Sequence, residues 1–430
     1  MKHRDDEKVK FCSSRSKLVP TLLALKRLSF PAKFGLKPHT KKLDDEKDRR
    51  PITADPIPLD LEEAILTRLP AKSLMKLRCV SKMWSSMIRS QKFVDSYYAM
   101  SSATRSRFTI AFSNGVFVED DAKRCLFIFS CSHEGDKSSS SLVANLNMTI
   151  PGVSMSLVSM CPSVHGFVTH SYSDRFTICN PSTGQALTVP CKSSRTSLGY
   201  DPVEDQFKAL TLVSSIHHHH DEGSLVHEVI TGIGGGGGGS RREVKSPLYY
   251  PVKNGPCING FMYYGAWAPR QRRNPVIVCF DVRYERLSFI KAPKDVVVLE
   301  CNSILIEYNG KLASIVRCPL SFSSFDLWIL EDVEKQEWSK QTFELPYSLM
   351  HMTSPGTNKA GEIIFAPKAL SHDVQPFCIF YYNLESKSIT SVRIHGIGDD
   401  QGFRDRYGIT VADTCFVSIS SQHVESIASF

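Results

Sequence analysis

Fourteen histidines and thirteen cysteines in 430 residues offer many nucleophiles and metal ligands, so their spacing is the first question. No two cysteines form a C-x-x-C pair, and no Cys/His cluster has zinc spacing. The sequence has no G-x-S-x-G elbow, no H-E-x-x-H and no nucleotide-binding glycine loop after a strand. His217 to His220, followed by Asp221 and Glu222, could meet a metal. Four adjacent histidines in a loop do not define a coordination geometry, however. Gly234 to Gly239 lacks the spaced Gly-Lys-Ser/Thr pattern of a phosphate cradle and reads as a flexible surface loop. The expectation is therefore no catalytic residue, no metal and no cofactor. An enzyme whose site is assembled from distant loops remains the alternative.

The elements that would position any site fall into two textures. Helical signals concentrate in 57–98. Pro58 suits a first helical turn, and Asp60, Glu62 and Glu63 put negative charge there. Leu61, Ile65, Leu66 and Leu69 follow at helical spacing, and Pro70 ends the helix. Residues 71–79 predict a second short helix through Leu74, Met75 and Leu77. Ser81 is a candidate N-cap for a third, which carries Trp84, Met87 and Ile88. A unit of about 40 residues is too small to enclose this many apolar side chains. The surplus must either pack on the following domain or meet another protein.

From residue 105 onward, short runs rich in Val, Ile, Phe and Tyr alternate with turn residues, the signature of an all-β domain. Aligned on Gly115, Gly166, Gly260, Gly310 and Gly361, a repeat appears with separations of 51, 94, 50 and 51. A second marker, a turn residue after an apolar strand, recurs at Asn180, Asp281, Asp332 and Asn383, with separations of 101, 51 and 51. His165 holds the position taken by Asn114, Asn259 and Asn309 in other repeats, which gives it a turn role. A period near 50 predicts kelch-like propeller blades, about six of them, in preference to a pair of β-sandwiches. The unit near 203–250, with the His and Gly tracts, departs most from the pattern.

The net charge of +8 lies entirely in residues 1–50, which hold 15 Lys and Arg against seven Asp and Glu. The balanced remainder gives no charge argument for nucleic acid, and no apolar run is long enough to span a bilayer. The basic segment reads as a disordered tail. Its Lys41-Lys42 and Arg49-Arg50 pairs could serve nuclear import. The scattered cysteines read as buried apolar residues in a reducing compartment.

Residues 57–94 resemble the F-box motif through Ile57-Pro58-Leu59-Asp60-Leu61, Ile65 to Leu74, and Arg78-Cys79-Val80-Ser81-Lys82-Met83-Trp84. The form Leu69-Pro70-Ala71-Lys72-Ser73-Leu74 is similar to that of the large plant F-box family. The later sequence resembles that family's F-box-associated domain through Ile178 to Gly184, Leu198 to Pro202 and Val278 to Val282. The resemblance implies a mainly β protein with a small α domain. Its parts would be a tail (1–50), a three-helix F-box (51–98) and a β-propeller-like domain of about six blades (105–430). It also implies a substrate adaptor for a cullin-based (SCF-type) ubiquitin ligase, acting in the nucleus, the cytoplasm or both, with no bond chemistry of its own. The partners would be a Skp-type adaptor, through it a cullin, and an unidentified substrate protein, with no nucleic acid or membrane. The matching positions are Pro58, Leu59, Leu61, Ile65, Leu66, Leu69, Pro70, Leu74, Val80, Trp84 and Ile88. Which of them touch the adaptor and which fill the internal core stays open. The alternatives are a β-propeller enzyme or a non-ligase scaffold with a helical cap.

Overall fold

The computed structural model describes residues 58–429, except 105–106, 115–123, 134–140, 156–159, 215–224, 234–238, 248, 269–273, 299–302, 318–322 and 411–413. The basic tail, Ile57, the histidine tract and Gly234–Gly238 lie outside the described residues. Four helices open the described chain: α1 (Leu59–Leu66), α2 (Ala71–Leu77), α3 (Lys82–Arg89) and α4 (Gln91–Thr104). Pro58 and Pro70 precede α1 and α2, where a missing N–H costs nothing. The Ser81 hydroxyl oxygen accepts from the Trp84 amide at 3.1 Å and caps α3. The sequence reading anticipated three helices; α4 is the fourth and runs past residue 98 to Thr104.

The β-domain contains four separate four-stranded antiparallel sheets, spanning 163–190, 196–246, 250–291 and 303–344. A fifth sheet has eight strands and divides at its parallel junction, where Arg393 to His395 pair with Ser141 to Val143. One half is 353–395. The other unites the last strand, Val417–His423, with Arg107–Ser113, Cys125–His133 and Ser141–Pro151. The first strands of the six groups are Ser163–Val164, Thr196–Asp201, Tyr250–Ile258, Ser303–Tyr308, Thr353–Thr357 and Val417–His423. Each lies against the next, and the last returns to the first. This circuit is propeller-like, and it sets each inner sheet edge beside that of its neighbour. The divergent unit near 203–250 nevertheless forms a complete four-stranded sheet.

Both sequence markers have physical causes. His165, Asn259 and Asn309 adopt φ of 47–49°, and each following glycine also has positive φ. The first repeat marker is thus a tight hairpin turn in the left-handed region. In the second marker the side-chain oxygen closes a turn. Asp281 Oδ1 accepts from the amides of Arg283 and Tyr284 at 2.9 and 3.0 Å, and Asn383 Oδ1 from those of Glu385 and Ser386 at 3.1 and 2.9 Å.

One turn glycine carries an added constraint. A Cβ on Gly166 (φ 84°) would overlap the side chain of Ser426 and press on the carbonyl of Val424. Gly184, in the same sheet with φ 78°, faces open space. Gly184→Ala is therefore expected to cost only the backbone term, about 1–2 kcal/mol. Gly166→Ala should cost at least about 1 kcal/mol more, read as a larger fall in the urea midpoint of unfolding. Equal falls would show that the C-terminal segment does not press on this turn.

Candidate functional site

The helical unit has its own core. Leu66, Ala71, Leu74, Ile88, Phe93 and Tyr97 are buried together, with Leu69 and Trp84 packed against them. Trp84 donates its indole N–H to Glu62 at 2.8 Å, which ties the first turn of α3 to α1. Of the eleven matching positions, Leu66, Leu74 and Ile88 are therefore interior. They support a docking surface but do not form one. Leu69 and Trp84 are half-buried supports.

The remaining positions face outward. Leu59 is 58% exposed, Leu61 53%, Ile65 46% and Val80 49%, and Met83, absent from the sequence expectation, is 50% exposed. Pro58 and Pro70 are exposed as well. Leu61 and Ile65 are one helical turn apart on α1, and Met83 neighbours Trp84, which is bonded to α1. Large apolar groups exposed this closely in sequence are unusual on an unpartnered surface.

The unit's other side is closed by the end of the chain, which the sequence reading did not anticipate. Ile427 inserts into the helical core. Tyr97 donates its hydroxyl to Glu425 at 2.9 Å, and Arg107 pairs with the same carboxylate. Asn180 donates its amide to the carbonyls of Ser426 and Ala428 at 3.0 and 2.9 Å. Beside this plug, His165 is stacked between Tyr98 of α4 and Tyr200, with ring centroids 3.7 and 3.8 Å away. Gln91 and Tyr200 both donate to Asp205, at 2.7 Å each. His165, Asp205 and Lys359, which donates to the carbonyl of Ser102, all lie in turns between first and second strands. The helices thus sit at one end of the β-domain.

One cysteine–histidine pair is sealed away from solvent, while Cys79 is exposed. Cys161 lies 3.6 Å from His170, but burial pushes its thiol up to about 12 and lowers the imidazole, so neither is charged near neutrality. A reactive cysteine needs the opposite shift. Among the described residues, no group of three or more His, Cys, Asp or Glu could hold a metal ion, and no helix is long and apolar enough to cross a membrane.

Residues 56–96 match the model of the F-box domain, and residues 114–423 that of the F-box associated beta propeller domain. The chain is a plant F-box protein. It is 54% identical to the Arabidopsis thaliana F-box protein At1g30790 over 87% of this chain and 98% of that protein. It is 48% identical to the putative F-box protein At1g32660 of the same plant, over 100% and 98%. A more distant relative, the Arabidopsis F-box protein DOR, is 36% identical over 80% of this chain and 89% of its own length. The outward residues of this F-box protein, from Leu59 to Met83, all lie within the matched F-box domain.

Two outcomes are expected at the junction. Ile427→Ala should remove about 2–4 kcal/mol of packing and raise the rate of proteolysis within α4, with the central strands unaffected. An unchanged rate would separate the C-terminus from the F-box. The second concerns pH. Burial first, with Asp205 and Asp95 opposing it, lowers His165 to about 4, and buried His423 falls to about 4 as well. A depressed folded-state value means that the unfolded chain takes up the proton first. Stability is therefore full above about pH 6.5 and is lost as pH falls toward 4. His165→Asn keeps a residue suited to the left-handed turn and should flatten part of that slope in urea midpoints taken from pH 7 to 4. An identical slope in the variant would contradict the assignment.

Proposed function

We propose that this F-box protein is the substrate-recognition subunit of an SCF-type ubiquitin ligase. The carrying observation is the outward apolar group of Leu59, Leu61, Ile65, Val80 and Met83, backed by a separately packed core. In this reading a Skp-type adaptor covers that group, with Pro58 and Pro70 at its margin, and the adaptor links the chain to a cullin. Leu66, Leu69, Leu74, Trp84 and Ile88 keep the helices in register beneath it. The β-domain holds the protein to be ubiquitinated, and its far end, away from the helices, is free to do so. The chain then acts by tethering: it raises the local concentration of the target's lysines near activated ubiquitin and makes or breaks no bond itself. The setting proposed is the nucleus, the cytoplasm or both.

Leu61→Asp combined with Val80→Asp alters only exposed positions and should leave the fold intact. Each places a charge where an apolar contact is expected, so capture by a purified Skp-type adaptor should fall at least tenfold. Val203→Asp, at an exposed apolar position of the β-domain, should leave capture unchanged. Undiminished capture by the double variant would contradict the docking face. Alanine at Leu69 and Trp84 is the poorer probe, since it empties the helical core and removes the bond to Glu62.

A further inference from the structure

At the end of the β-domain away from the helices, a cleft of about 220 Å³ opens between two connections. One is 367–376, joining the second and third strands of the 353–395 group; the other carries the helix α5 (Gln401–Tyr407). Neither belongs to the helical docking unit. Asp400 caps α5 by accepting from the Phe403 amide at 2.6 Å, and Gly408 ends it with φ 66°. Phe403 and Tyr407 pack on Phe112 and Phe127, with centroid distances of 5.6 Å for Phe403 to Phe112 and 4.8 Å for Tyr407 to Phe127. The helix is thereby held rigidly over the sheet, and so is the residue between its aromatic anchors, Arg404.

Arg404 lines the cleft and is only 4% exposed. Its Nη2 donates to two main-chain carbonyls, those of Ser371 and Asp373, the second at 3.3 Å. Among the described residues, Nε is buried with no acceptor, Nη1 has no acceptor and no carboxylate pairs with the guanidinium. A guanidinium is always charged, and a buried charge without a counter-ion is costly. An incoming anion would remove that cost. Apart from Asp373, the remaining walls are apolar or neutral, among them Leu370, Phe377, Phe403, Ser371 and Gln375.

We infer that this cleft receives a carboxylate, from an acidic side chain or a chain terminus, of the protein that this F-box protein recognises. The inference rests on the adaptor reading above and names the chemistry of the target. A single carboxylate suits the site better than a phosphate. One guanidinium balances one negative charge, and the cleft also holds the exposed Asp373, which repels a dianion more strongly. The apolar walls would take the residue beside the acid.

The test uses the full chain and immobilised ten-residue peptides, random around one fixed central position. Three sets, amidated at the C-terminus, carry Glu, Gln or phosphoserine there. A fourth carries Gln and a free C-terminus. Capture of the Glu set or the free-terminus set at least tenfold above the amidated Gln set is expected, and which of the two responds tells side chain from terminus. Arg404→Gln should abolish the preference. So should Gln375→Glu, which places an internal acid at the exposed rim without disturbing the core. Equal capture of all sets, absence of capture included, overturns the inference, as does a preference unchanged in both variants. Selection of phosphoserine over both carboxylate sets overturns the carboxylate assignment. Binding to a purified Skp-type adaptor, measured on the same preparations, separates the two readings. A chain that binds the adaptor without a carboxylate preference loses only the cleft, whereas failure of adaptor binding removes the functional reading itself.

Discussion

Four short helices cannot wrap all of their own apolar side chains, and the molecule meets that shortage differently on two sides. On one side Ile427, from the far end of the chain, completes the interior around Leu66, Leu74, Ile88 and Tyr97. On the other side, Leu59, Leu61, Ile65, Val80 and Met83 stay in water. The two facts belong together. A unit with a finished interior can keep its shape while it offers an apolar face.

The C-terminal segment has two mechanical duties within a dozen residues. Val417–His423 is the inner strand that pairs with Arg107–Ser113 in the eight-stranded sheet and meets the neighbouring first strands on either side. The next residues turn beneath the helices, where Glu425 satisfies Tyr97 and Arg107 and Asn180 holds the carbonyls of Ser426 and Ala428. Closure of the β-domain and attachment of the F-box therefore draw on the same stretch of chain. The stack of Tyr98, His165 and Tyr200 adds a second joint nearby. A rigid link between the two parts suits tethering, because effective concentration depends on how well the spacing is held.

Much of this architecture was legible from the residues. Pro58, Pro70 and Ser81 punctuate the helices as local chemistry dictates, and the 50-residue period follows from turns that need left-handed backbone or an Asx oxygen. Helix α4 was harder to read. Its aromatic, serine and β-branched residues favour helix weakly, and it is held by tertiary contacts of Phe93, Tyr97 and Tyr98. The four-residue spacing of Phe93, Tyr97 and Ser101, all buried, was the available signal. The division of F-box positions into interior and exterior could not be read at all. Leu66 is buried and its neighbour Ile65 exposed, a distinction that depends on α4 and on Ile427. Arg404 was invisible for a similar reason, since its lack of a paired carboxylate among the described residues is a property of the assembled cleft. Local rules reach as far as turns and caps; partners distant in sequence decide the rest.

The central claim concerns which apolar residues a second protein covers. Amide hydrogen exchange of the full chain, alone and saturated with a purified Skp-type adaptor, addresses it most directly. The account predicts slowed exchange across residues 59–83 on mixing, with the strands of the β-domain unchanged. Equal exchange across 59–83 in the two samples, or protection confined to the β-domain, would contradict it.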